Sequence, residues 1–208
     1  CDVVPLKFLN RAFVSTGLKV MGLRQNLGLK ALFDMSNIRE TPNEQNLGYI
    51  VGPRINAAGR LGNSNLGVEL LCANDDVNAN LLAEKLNRLN DERKDIQNKV
   101  LESAIDKINK IDISSKNVIV LADEGWHEGV IGIIAGRIKD RFHKPTVIIA
   151  INEDGIGKGS SRSVSGFDIG SAIIAAQQNE ILITGGGHSM AAGLSLKKDK
   201  LELLDAFL

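Results

Sequence analysis

The sequence predicts an α/β protein: a helical first part, one long connecting helix, and then an α/β domain with a mostly buried sheet. Three observations carry this expectation. Residues 1–73 hold short helical patterns broken by glycines. Leu82, Leu86, Leu89, Arg93, Ile96 and Val100 follow one another at spacings of 4, 3, 4, 3 and 4. After Ile111, short β-branched runs alternate with helical ones. A chain of 208 residues with 43% hydrophobic and 24% charged residues has the composition of a globular protein, long enough for one large domain or two small ones.

In the first part, "RAFVSTGLKVMG" and "NLGLKALFDMSN" read as helices, each closing on a Gly or Asn stop. The apolar stripe between residues 74 and 112 is one face of an amphipathic helix whose other faces are charged. About 35 residues at ~1.5 Å each span roughly 50 Å. A coiled-coil dimer asks for more heptads than this, so a helix that braces or joins two domains is the better reading. Beyond it, "NVIVLA" (117–122) and "PTVIIAI" (145–151) are buried strands, and "GIGKGSSRSV" (155–164) and "AAGLSL" (191–196) are further strands. "GVIGIIAGRIKDRF" (129–142), "FDIGSAIIAAQQN" (167–179, with Asp168 as N-cap) and "KDKLELLDAFL" are helices. The expected division is 1–73, 74–111 and 112–208, with no internal repeat.

Charge excludes little. Basic and acidic residues balance at 25 each, 15 against 13 up to residue 110 and 10 against 12 after it, so neither part is a basic nucleic-acid module by net charge. Cys1 and Cys72 make neither a disulfide framework nor a zinc spacing, which points to a reducing, cytoplasmic setting. No apolar run approaches the ~18 residues of a membrane span. The opening "CDVVPLKFLNRAFV" has no initiator Met and no signal-peptide pattern, and reads as lying inside a larger protein.

Four stretches carry candidate chemistry. "GHSMA" (187–191) comes close to a serine-nucleophile elbow, but no histidine follows His188, and the elbow needs its acid and histidine downstream. "WHEGVI" begins like H-E-x-x-H, but Ile131 stands where the second histidine belongs. "GIGKGSSRS" (155–163) is no Walker A loop, yet it gathers glycines, Lys158, hydroxyls and Arg162, the donors a phosphate needs. "GPRINAAGRLGN" (52–63) sets Arg54 and Arg60 around Asn56 among small residues, a pattern for close approach to a polyanion; carboxylate-paired arginines in a structural loop are the alternative. With 184–189, these last two give three Gly-rich polar segments that read as one anion-binding face.

Taken together, "CDVVPL", "GPRINAAGRL", "GWHEGVIGIIAGRI", "GKGSSRSVSGFDI" and "TGGGHSMAAG" resemble, in order, the motifs of the RecJ family, single-strand-specific 5′→3′ DNA exonucleases of the DHH phosphoesterase superfamily. The resemblance implies that residues 112–208 are a DHH-associated domain. It implies hydrolysis by two Mn2+ or Mg2+ ions held mostly by a DHH domain, of which this sequence shows only Asp2, matching the last aspartate ligand, and no D-H-H triplet. By the same resemblance Ser160 and Arg162 hold the 5′-terminal phosphate, and Arg54, Asn56 and Arg60 line the path of the strand. His188 reaches the scissile phosphate across an interdomain cleft, helped by the backbone of Gly186 and Gly187. The implied partner is single-stranded DNA at its 5′ end, with a single-strand-binding protein or a helicase as candidate protein partners and a role in DNA repair and recombination. Two other readings stand beside it: a different DHH phosphodiesterase, of oligoribonuclease or cyclic-dinucleotide type, and a non-catalytic single-strand-binding module. Trp126 is expected to pack, His127 and Glu128 to hold a loop, and His143 to lie at the surface.

Overall fold

The computed structural model describes residues 4–208, which fall into two compact units parted between Lys94 and Asp95. In the first, α1 (Phe8–Gly22), α2 (Leu27–Met35), a wide helical turn (Asn46–Val51), α3 (Gly52–Arg60) and α4 (Leu66–Leu71) are followed by the start of α5 (Asp76–Ile108). Asn26 caps α2, its Oδ1 accepting the Leu29 N–H at 2.9 Å. The core is built from Leu32 and Phe33 of α2, Ala58 of α3, Leu66 and Leu70 of α4, and Ala79, Ala83 and Leu86 of α5. Helices α2 and α4 touch backbone to backbone: a Cβ on Gly28 would stand 2.1 Å from the Leu70 carbonyl oxygen. By contrast α1 buries no side chain, and Phe8 and Phe13 are 92% and 73% exposed.

The stretch at 52–63, read as a Gly-rich polar segment, is largely helical. Pro53 stands where the wide turn passes into α3, so its missing N–H falls at the change of hydrogen-bonding register and its ring presets the helical φ. The long helix is also displaced from its apolar stripe. Leu86 and Val100 are buried, but Leu82, Leu89 and Ile96 are only half so, while Ala79, Ala83, Ala104 and Ile108 are fully enclosed. Alanines allow the closest approach, so the contact seam runs through Ala79, Ala83, Leu86, Val100 and Ala104 and leaves Leu82 and Leu89 at its margin.

In the second unit the order is β1 (Ile119–Asp123), α6 (Ile131–Phe142), β2 (Thr146–Ile151), β3 (Ile156–Arg162), α7 (Ile169–Gln178), β4 (Thr184–His188), β5 (Ala191–Lys197) and α8 (Leu201–Phe207). The five strands form one mixed sheet ordered β1-β2-β3-β5-β4; β1 and β2 run parallel across the α6 crossover and every other pair is antiparallel. Helix α6 and the later part of α5 cover one face over β1 and β2, burying Ile134, Ile138, Ile148 and Trp126. Helices α7 and α8 cover the other, burying Ile149, Ile169, Ile173, Leu194, Leu196 and Leu204. Thr184–His188, read as part of a Gly-rich polar segment, is the edge strand of this sheet, joined to β5 by a two-residue turn at Ser189 and Met190. His143 ends α6 in the left-handed region (φ 53°), exposed. Among the described residues no helix is long and apolar enough to cross a membrane.

Asp168 caps α7, its carboxylate accepting the Ser171 N–H at 3.0 Å. That hydrogen bond holds its carboxyl below the usual carboxylate range. A group depressed on folding stabilises the fold above its unfolded value and loses that contribution as pH falls through the folded value. Asp168→Ala is therefore expected to melt below the parent at neutral pH, and the gap between the two melting curves is expected to close as the pH is taken below about 4.

Candidate functional site

Alternation along β3 sorts its residues. Gly157, Gly159 and Ser161 face the α7 side and are buried; Lys158, Ser160 and Arg162 face the other way. The two glycines answer to packing rather than to a ligand: a Cβ on Gly157 would meet Ile149 at 2.8 Å, and one on Gly159 would meet Leu194 at 2.7 Å. Ser161 is fully buried and satisfied, its hydroxyl donating to the Ala192 carbonyl at 3.0 Å and accepting the Ala192 N–H at 3.1 Å.

Register carries this alternation across the sheet. Lys158 pairs with Ser195 and Ser195 with Thr184; Ser160 pairs with Gly193 and Gly193 with Gly186; Arg162 pairs with Ala191 and Ala191 with His188. Directly paired residues share a face. From β3, which α6 flanks, out to the edge strand, the sheet then shows three rows of three without a large apolar side chain. Arg162 and His188 end one row, two strand spacings or about 10 Å apart. The middle row is nearly bare: a Cβ on Gly186 would meet nothing within 4 Å, and one on Gly193 only the Gly159 oxygen at 4.0 Å. The Thr184 and Ser195 hydroxyls are 2.6 Å apart.

The polar groups are held in place. Arg162 Nη1 donates to the Ser161 carbonyl at 2.8 Å and to Ser160 Oγ at 3.2 Å, which folds the guanidinium back along its own strand beside the first turn of α6. The amides of a helix's first turn have no acceptor within the helix and carry its positive end. His188 is exposed, but its backbone is enclosed: a Cβ on Gly170, at the start of α7, would stand 2.8 Å from the His188 oxygen. The hairpin tip is tied on both sides, Ile169 N–H to Ser189 O at 3.2 Å and Ser163 N–H to Met190 O at 2.9 Å. Gly187 differs from Gly186, since a Cβ there would run into β5, 2.4 Å from Ala192 Cα. Beside Lys158 opens a cleft of about 380 Å³ lined by Trp126, His127, Glu128, Asn152 and Ile156. Lys158 and Glu128 pair across its rim at 2.7 Å, both more than half exposed, a contact worth little in water. Trp126 is buried, donates to Ser103 Oγ at 3.1 Å and lies under Lys107; His127 Nδ1 accepts the Gly129 N–H at 3.0 Å, which stiffens the turn into α6.

In the first unit, α3 does not bring its three polar residues together. Asn56 and Arg60, one turn apart, share an exposed face. Arg54 lies about 200° round the helix from Asn56. Its Nε donates to Asn87 Oδ1 at 2.9 Å and its Nη1 to the Ile50 carbonyl at 2.8 Å. Sequence reasoning had missed Gly193 and Ser195 as companions of Ser160 and Arg162. The period of two in "KGSSR" and "AAGLS" was the available signal.

The DHHA1 domain family matches residues 115–208. That stretch is similar to DHHA1 domains. The polar sheet face described above lies wholly within it. Over 97% of its length the chain is 39% identical to the single-stranded-DNA-specific exonuclease RecJ of Dickeya dadantii, covering 36% of that protein. The crystal structure of RecJ in complex with Mg2+ from Thermus thermophilus superposes on 99% of the chain with a TM-score of 0.88 and 30% identity, over 31% of the RecJ chain. The same RecJ in complex with Mn2+ gives a TM-score of 0.87. The chain is thus similar to RecJ over the DHHA1-matching residues and the helices before them, and it spans about a third of the length of these relatives. Among the described residues no three His, Cys, Asp or Glu side chains come together to hold a metal ion. Those residues therefore do not fit the two-ion centre that the resemblance implies, and Asp2, its one expected ligand here, lies outside the described residues.

The two adjacent glycines of β4 separate floor from frame. Gly187→Ala is expected to lower stability by about 1–3 kcal/mol, because its methyl meets backbone. Gly186→Ala is expected to stay within about 0.5 kcal/mol of the parent. Paired urea denaturation curves check both.

Proposed function

We propose that this chain is the strand-gripping part of a RecJ-like single-stranded-DNA 5′→3′ exonuclease. The observation that carries the reading is the polar sheet face of the DHHA1 domain, where Ser160, Arg162 and His188 surround a glycine floor open to a ligand. Arg162 can offer a forked pair of donors to a terminal phosphate and Ser160 its hydroxyl. A glycine strip lets a sugar–phosphate backbone come close without reading base identity. On this proposal His188 serves at the scissile phosphate, Gly186 and Gly187 shape the approach, and Asn56 and Arg60 touch the strand from the open face of α3. Arg54 holds α3 to α5 through Asn87, so it positions the contacts its neighbours make.

Hydrolysis, as the resemblance implies, uses two divalent ions, Mn2+ or Mg2+, with ligands outside the described residues. A cytoplasmic role in DNA repair and recombination, beside a single-strand-binding protein or a helicase, belongs to the same proposal.

Two measurements test the reading. Fluorescence anisotropy on this chain is expected to show tighter binding to a 5′-phosphorylated single strand than to its 5′-hydroxyl twin, with affinity falling as salt rises. Arg162→Ala is expected to lose about ten-fold or more of the preference for phosphate. An affinity unchanged by Arg162→Ala and indifferent to the 5′ end would refute the assignment. With Mn2+ added, this chain is expected to leave the strand undigested, and efficient metal-dependent cleavage would show that the hydrolytic centre had been misplaced.

A further inference from the structure

The "GVIGIIAG" stretch has one feature that packing does not explain. Helix α6 carries two glycines, Gly132 and Gly136, each of which weakens a helix relative to alanine. Neither has the positive φ that would demand glycine. They differ in their surroundings. A Cβ on Gly136 would meet nothing within 4 Å, whereas one on Gly132 would stand 2.9 Å from Ser160 Oγ and 3.3 Å from Arg162 Nη2.

We infer that Gly132 is a positioning residue whose bare α-carbon lets Ser160 and Arg162 converge on a terminal phosphomonoester. The inference rests on the phosphate role proposed above for that pair. The helix cannot retreat to make room for a methyl group, because Ile131, Ile134, Ala135 and Ile138 are buried against the sheet on its inner side. What can yield are the flexible ends, the Ser160 hydroxyl and the Arg162 guanidinium. A methyl at 132 is therefore accommodated at little cost to the fold by displacing the two groups that would hold the ligand. A terminal phosphomonoester carries about −1.5 to −2 charges and three strong acceptor oxygens, so its advantage over a phosphodiester depends on several donors meeting at one point. Displacing one of them weakens the monoester more than the diester.

Gly132→Ala and Gly136→Ala make a matched pair, since each adds one methyl to the same helix. Melting curves and binding to 5′-phosphoryl and 5′-hydroxyl single strands are read on both. Both variants are expected to melt at or above the parent. Gly132→Ala is expected to lose about ten-fold of the preference for the 5′-phosphoryl strand, the effect of one charge-assisted hydrogen bond, and Gly136→Ala to keep it. Full preference in Gly132→Ala, with Arg162→Ala lacking it, would overturn the inference and leave the role of the pair intact. Full preference in both would remove the phosphate reading itself. Should Gly132→Ala fold poorly, Ser160→Gly combined with Gly132→Ala gives the methyl its space. That double variant is expected to regain parental stability and to bind like Ser160→Gly alone, and failure to do so would also count against Gly132 as a positioning residue.

Discussion

Everything about the polar sheet face follows from the alternation of β3. A strand shows successive side chains to opposite faces, and β3 has one face that must accept the large apolar residues of its neighbours. It does so by having almost no side chains there. Ile149 from β2 and Leu194 and Leu196 from β5 occupy the space above Gly157 and Gly159, and the buried hydroxyl of Ser161 closes on the β5 backbone. With the apolar requirement met by borrowed side chains, the opposite face of β3 can be polar from Lys158 to Arg162. Antiparallel pairing then passes that division of labour to β5 and β4.

The limits of α6 turn this into a site. Over β2 and the near side of β3 the helix seals the sheet, with Ile134 and Ile138 fully buried. Its first turn stops beside Ser160 and Arg162, and past that point the sheet is uncovered. The polar rows thus stand at the boundary between a sealed half and an open half of one sheet, with helix backbone on one side and a glycine floor on the other. Such a boundary suits an extended, charged ligand: donors are fixed by the sheet and the approach is wide.

Much of this was legible in the sequence, and what was not has identifiable causes. The length of α5 follows from its apolar spacing, and the start of α7 from Asp168, because both signals are local. The strand character of Thr184–His188 was hidden. Three glycines have no strand preference of their own, and pairing with β5 imposes the conformation. Segments 155–163 and 184–189 were read as one face, but the register across β3, β5 and β4 that lines up Ser160, Gly186 and His188 was hidden, since it joins residues about 30 apart. In α3, two arginines six residues apart looked like a pair. Only the helix shows that they turn in different directions and that Arg54 is engaged with Ile50 and Asn87.

The hairpin between β4 and β5 has a thermodynamic consequence. Its tip is tied to α7 through Ser189 and to Ser163 through Met190, while Gly170 presses on the backbone of His188. The main chain beneath the imidazole is therefore immobilised when the protein folds. A ligand arriving at that row has only side-chain torsions left to freeze, so the entropic penalty of association is small for a segment that looks, by composition, like one of the floppiest in the chain.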